Sequence, residues 1–363
     1  MRNTLTRLLT MFALMLPAWA GPVLNIVDLG TLGGSMMAGT AINSKGEVVG
    51  YGAAIYGNLQ PFSSTAGIFT GSGFDSATAN GINGNGQVVG TVHGSGNSQA
   101  TLWVNGAAQQ LGGLGGADSF GNAINNLGQM VGMATTPEGT GRAVYYSGGS
   151  VLDISPSGSQ WSSAYAINNN GVAAGYAMDA GMNFRAFTWA GSASTQLGTL
   201  GGSSSYAFGV NDGGQVAGHS ATASGYLHAF VWNSAGGFAD LGTLGGTQSF
   251  GYAINNAGAV VGSSNTASGE QHAFMTVNGA IVDLNSLAKS LGGWTLTTAY
   301  AINDAGQITG SGLLDGVEHA FRLDPLSTVS GIETPLAAPE PSTLALITMA
   351  LGAIASYRLR NTR

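Results

Sequence analysis

The chain contains no cysteine, which excludes a disulfide framework, a thiolate metal site and a cysteine nucleophile together. Charge is nearly as scarce, with only 7% of residues Asp, Glu, Lys or Arg. So few charges cannot lace helical surfaces with ion pairs. They leave glycine, 61 of 363 residues, and a 44% hydrophobic fraction to set the architecture. Tight turns between packed apolar strands are the expectation, and the apolar content argues against a disordered chain. Of the two signs of charge, the basic one is the rarer. Between Gly21 and Ala338, five Lys plus Arg stand against sixteen Asp plus Glu, a net of −11. Phosphate contacts need basic patches, so this body should bind neither nucleic acid nor an anionic lipid surface. Catalytic signatures are missing too: there is no G-x-S-x-G, H-E-x-x-H or P-loop.

The two ends are the first positive signals. Arg2 and Arg7 precede an apolar run from Leu8 to Leu16, then Pro17 and Ala18-Trp19-Ala20. That run is too short to span a bilayer. Basic, apolar and small in that order, it predicts a secretory signal over residues 1–20, with Ala18 and Ala20 framing cleavage before Gly21. The other end carries Pro339-Glu340-Pro341, an apolar run from Leu344 to Tyr357, and Arg358, Arg360 and Arg363. This predicts a short transmembrane helix stopped by cytoplasmic positive charge. Triplet, helix and basic end over residues 339–363 resemble the PEP-CTERM sorting signal of Gram-negative bacteria, with residues 326–338 as a linker before it. The resemblance implies an exosortase-type membrane protease as partner, passage through the inner membrane, and a body released from or attached to the surface of an exopolysaccharide-producing cell.

Between the ends, residues 21–325 repeat. The pattern Ile/Val-Asn-x-x-Gly-x-x-x-Gly recurs at Asn43, Asn83, Asn125, Asn168, Asn211, Asn255 and Asn303, at spacings of 40, 42, 43, 43, 44 and 48 residues. Each copy adds a run centred on alanine, fullest as His228-Ala229-Phe230, His272-Ala273-Phe274 and His319-Ala320-Phe321. The earlier runs are Arg185-Ala186-Phe187, Arg142-Ala143-Val144, Gln99-Ala100-Thr101 and Thr65-Ala66-Gly67. Leu-Gly-Thr-Leu-Gly-Gly joins several copies, as at 241–246. The tripeptide and its spacing resemble the HAF-repeat family of bacterial extracellular proteins, which implies an extracellular location.

Each unit predicts four strands, called a to d here: Ser205–Val210, Gln215–Ser220, the His228 run, and Phe238–Leu241 in the best copy. Asn opening a turn can bond its own backbone ahead, and the glycine three residues on suits a left-handed conformation. Four strands in about 43 residues is the period of a β-propeller blade or of a stacked solenoid. The body opens with a lone strand d, Leu24–Leu29, and ends after a strand c, His319–Leu323. In a ring these two fragments complete one blade and remove both free edges. The expectation is an all-β, seven-bladed β-propeller closed by its N-terminal strand. Ala or Gly before every Ile/Val suits inner strands crowded round a channel.

Candidate sites are fewer. His228, His272 and His319 share one repeat position, which suggests a structural place rather than a metal triad, and no metal or cofactor is implied. Phe120, Tyr206 and Phe250 stand four residues before the Ile/Val of strand a, with Trp161 and Trp294 slightly earlier and Asp179, Glu270 and Asp315 nearby. Trp161, Tyr206, Phe250 and Trp294 are therefore the candidate ligand face, although inter-blade packing explains each of them singly. The function this favours is a surface or matrix binding module for a glycan or another surface. A purely structural surface protein comes second and a polysaccharide-acting enzyme third. Mass spectrometry of the native protein should find its start near Gly21 and its end near Pro339-Glu340-Pro341. Full-length chain recovered from the cytoplasm would overturn the export reading.

Overall fold

In each repeat the Asn side chain nucleates the turn. The Asn211 side-chain oxygen accepts the backbone N–H of Gln215 at 2.9 Å, Gly214 N–H closes on the Asn211 carbonyl at 3.0 Å, and Gly214 takes a φ of 76°. This turn joins strand a to strand b. Two further antiparallel strands complete a sheet, and seven four-stranded sheets form among the described residues, 22–55, 57–68 and 76–326 of this computed structural model. The strands a of blades 1 to 7 are Gly33–Ile42, Ser76–Ile82, Ser119–Ile124, Trp161–Ile167, Gly201–Val210, Gly245–Ile254 and Trp294–Ile302. Blade 7 takes its strand d from the other end of the body. Leu24–Asp28 lies antiparallel to Val317–Pro325, with Leu24 opposite Pro325 and Asp28 opposite Phe321. The fold is a seven-bladed β-propeller closed by its N-terminal strand.

Two sequence assignments need correction. Strand a of blade 5 begins at Gly201 rather than Ser205, because the linker glycines already pair, Gly201 opposite Thr222. In blade 1 the alanine run is not Thr65-Ala66-Gly67, which lies at the c-to-d turn. Strand c is Leu59–Ser63, and Phe62 faces Gly50 as Phe230 faces Gly218. Pro61 in place of the alanine hid that match. The signal cleavage site and the transmembrane sorting segment fall outside the described residues. Among the described residues no helix is long and apolar enough to cross a membrane.

The apolar core lies between blades. Phe230 of blade 5 packs with Ala174 and Ala186 of blade 4, and Phe274 of blade 6 with Ala217 and Ala229 of blade 5. The inner strands approach so closely that a Cβ on Gly209 would lie 3.0 Å from the backbone nitrogen of Ile254 in the next blade. This accounts for the small residue before every Ile/Val.

The seven repeat asparagines also tie the blades together. Asn43 Nδ2 donates to the carbonyl of Asn83, and the step repeats round the ring until Asn303 Nδ2 donates to the Asn43 carbonyl at 2.9 Å. All seven side chains are buried. Asn168 serves both purposes without help from a glutamine: its oxygen accepts the N–H groups of Asn170 and Val172, and its nitrogen bonds the Asn211 carbonyl at 2.8 Å. Asn168→Ala orphans all three partners and should cost on the order of 2–4 kcal/mol. Urea denaturation checks this, and an unchanged unfolding free energy would overturn the structural role of the ring.

Candidate functional site

One irregularity recurs in every blade and makes the site. The a-to-b register slips by one residue just before the small residue, between Gly39 and Ala41, Ala79 and Gly81, and so on to Ala299 and Ala301. The skipped residue is a β-bulge, a device that re-aims a side chain. The bulge also explains the second glycine of the repeat motif. A Cβ on Gly218 would be driven into the carbonyl oxygen of Tyr206, and the other six glycines meet the same obstacle.

The bulged residues are Thr40, Asn80, Asn122, Tyr165, Phe208, Tyr252 and Tyr300. With Tyr51 of strand b they line one cavity of about 300 Å³ on the channel. The ring is two-sided. Blades 1 to 3 contribute small polar groups whose donors turn to the next blade: Thr40 Oγ1 to the Ala79 carbonyl, Asn80 Nδ2 to Gly121, and Asn122 Nδ2 to Ala164, at 2.7, 2.8 and 2.8 Å. Blades 4 to 7 contribute aromatic rings.

Those rings continue outward into a connected crescent. Trp161 meets Tyr176 at 5.6 Å, Tyr176 meets Tyr206 at 4.9 Å, and His219 bridges Tyr206 to Phe250 at 5.0 Å on either side. Three of the four sequence candidates, Trp161, Tyr206 and Phe250, thus share one surface, joined by Tyr176 and His219, which the sequence did not single out. Trp294 does not join them. Only 8% exposed, it meets His319 and Phe321 edge-on and packs with Leu24 and Leu296 in the blade 7 core. It sits eight residues before Ile302, at the far end of a longer strand a, where the closing strand covers it.

Electrostatics at the crescent follow from burial. His219 is 9% exposed, stacks on Phe208 at 5.2 Å, and its Nδ1 has no hydrogen-bond partner among the described residues. Desolvation lowers its pKa to about 4, so it is neutral at pH 7. Burial likewise raises the Tyr252 and Tyr300 hydroxyls above their ordinary value. Tyr51 is raised first by burial, then by Tyr300 and Glu318. Glu318 is itself raised by burial, against a hydrogen bond to Ser311.

The three repeat histidines are placed elsewhere. Each pairs within its own blade with an aspartate on strand d: His228 with Asp240 at 2.9 Å, His272 with Asp283 at 2.6 Å and His319 with Asp28 at 2.9 Å. Those carboxylates also accept backbone N–H groups of the turn that follows. A His–Asp pair is two-thirds of a catalytic triad, but none of these imidazoles bonds a hydroxyl among the described residues. Asp179, one of the nearby acids, is held in its own turn by the Gly181 and Asn183 amides. At the opposite mouth, a cavity of about 250 Å³ is lined by the Asn ring and the residues after it. There Asp212 accepts from Asn169 and Asn256. Burial alone would raise this carboxyl, yet these bonds hold it below the usual value.

No family model and no curated protein matches the sequence. Solved structures do match. Over 85% of this chain and 56% of the other, the fold is similar to a puromycin-hydrolyzing peptidase of Mycobacterium tuberculosis, at 12% identity and a TM-score of 0.56. The chain thus spans little more than half the length of that peptidase. It is also similar to the β-propeller domain of the Trilobed protease from Pyrococcus furiosus, a propeller of open velcro topology, at 9% identity and a TM-score of 0.51, covering 84% and 94% of the two chains. At such identities the likeness shows the β-propeller fold alone.

The depressed His219 pKa carries a pH dependence. The folded protein resists protonating this imidazole while the unfolded chain takes a proton near pH 6.5, so its stabilising contribution is full above that pH and lost as pH falls toward 4. Between pH 7 and 5 this costs about 2 kcal/mol, and His219→Phe should flatten the slope. His93, also lowered by burial, adds a slope of the same sign. The lowered carboxyls Asp153, Asp179, Asp212 and Asp324 act below this window. Denaturant titrations at the two pH values check it, and an equal slope in the variant would remove His219 as the cause.

Proposed function

We propose that this chain is an exported cell-surface or extracellular-matrix protein whose propeller binds an extracellular glycan on the aromatic crescent of blades 4 to 6. The crescent carries the reading. Framework positions repeat in all seven blades, whereas the channel-facing positions vary, and the aromatic choices gather on one side. Half-buried rings supply apolar area to a sugar face, while the Tyr206 hydroxyl offers a polar edge. Four large apolar side chains also stand exposed at b-to-c hairpins on that face: Ile55, Met182, Tyr226 and Val317. They give an extended ligand a surface beyond the channel.

Export through the N-terminal signal, tail removal by an exosortase-type protease and kinship with HAF-repeat proteins belong to the same proposal, supported by the sequence motifs at the ends and in the repeats. An enzyme reading finds less support. The peptidase likeness extends to the fold, and the His–Asp pairs bond no hydroxyl among the described residues.

A glycan array that includes the polysaccharide of the host cell tests the reading. Trp161→Ala or Tyr206→Ala should weaken binding about tenfold or more with little loss of stability, since one stacked ring contributes on the order of 1 kcal/mol beyond its buried area. Trp294→Ala should instead cost about 3–5 kcal/mol of stability, as a core truncation does. A blank array, or affinity untouched by the first two changes, would leave a structural surface protein as the better account.

A further inference from the structure

The aromatic half of the channel cavity differs in shape from the outer crescent. Tyr165 and Phe208 are 5.0 Å apart at 59°, Phe208 and Tyr252 6.0 Å at 71°, and Tyr252 and Tyr300 5.5 Å at 42°. Successive rings inclined to one another form a concave wall, not the flat platform that a pyranose face prefers. A wall of this kind encloses a compact group, and the negative faces of its rings favour a cation.

The charges around it agree. No Lys, Arg or His lines the cavity. Arg142, Arg185 and Arg322 are each paired with an aspartate elsewhere. Across the cavity, Asn80 and Asn122 have committed their amide nitrogens to neighbouring carbonyls, and their side-chain oxygens have no partner among the described residues. Those oxygens suit a donor and repel an anion. Glu318, half-buried on strand c of blade 7, stands outside the lining but near enough for its charge to raise the Tyr51 and Tyr300 hydroxyls.

We propose that the channel cavity holds an organic ammonium group, caged by Tyr165, Phe208, Tyr252 and Tyr300 and balanced by Glu318. It rests on the proposed function only in placing a ligand at this face. Two sources carry such a group: a free quaternary amine, or the protonated amine of an amino sugar within a glycan.

Calorimetric titration of the purified full chain separates them. The probes are choline, its neutral isostere 3,3-dimethylbutan-1-ol, glucosamine oligomers and their N-acetylated counterparts. A cationic member should bind about fivefold or more tighter than its neutral counterpart, and Tyr252→Leu and Glu318→Gln should each remove most of that preference. Preference confined to choline identifies a free quaternary amine; preference for the glucosamine oligomers identifies the glycan amine. Glu318→Gln changes a partly exposed side chain, so it keeps the test sound if Tyr252→Leu folds poorly. Equal binding of charged and neutral partners, or of neither, would overturn the cation site. Glycan-array binding that survives both substitutions would show that the crescent reading stands without it.

Discussion

Seven amide-to-carbonyl hydrogen bonds, each leaving one blade and ending on the next, close the inner circle of this molecule from Asn43 back to Asn43. A propeller blade has little covalent hold on its neighbour, and its outer strands are short. The asparagine meets that need at the tightest radius, because its oxygen organises the turn of its own blade while its nitrogen reaches the next. A residue with one function at that position would leave buried donors or acceptors unmet. Turn and ring are therefore one constraint, and it holds the same residue in all seven copies. Closure by Leu24–Asp28 is the counterpart at the rim, where the ring would otherwise present an unpaired edge.

The bulge beside this ring divides the repeat into two kinds of position. Small residues and the second glycine are forced by backbone crowding, since a side chain there would collide with the adjacent strand. The bulged residue meets no such demand. It faces the channel, so its identity is open: Thr, Asn and Asn in the first three blades, Tyr, Phe, Tyr and Tyr in the rest. A symmetric scaffold thereby carries an asymmetric lining, and asymmetry is what gives a ligand one orientation in an otherwise seven-fold channel.

The sequence made the scaffold legible because crowding leaves a periodic signature. The seven Asn, the paired glycines, the four-strand unit and the split last blade could all be read from spacing, and the fold follows from them. The ring of inter-blade bonds could not, since a turn-forming Asn looks the same whether or not its nitrogen reaches the next repeat. Blade 1 was misread in its strand c, where Pro61 replaces the expected alanine and only register against Gly50 identifies Phe62. Of the two readings open for Trp294, ligand face and packing, the structure takes packing, because proximity to the start of strand a says nothing of which face a side chain takes. It entered the core that the closing strand seals.

The lining had a sequence signal, but one hidden by the search for constancy. Two residues before each Ile/Val the seven copies read Thr, Asn, Asn, Tyr, Phe, Tyr, Tyr, in a frame whose neighbours on both sides are always Ala or Gly. Large or polar groups flanked by obligatory small ones make sense only if the flanking positions are crowded and the central one is free. In a closed ring the free direction is the channel. Repeats thus report function through the position they fail to repeat, and here that position collects aromatic rings on blades 4 to 7, next to the buried His219 and opposite the Asn pair.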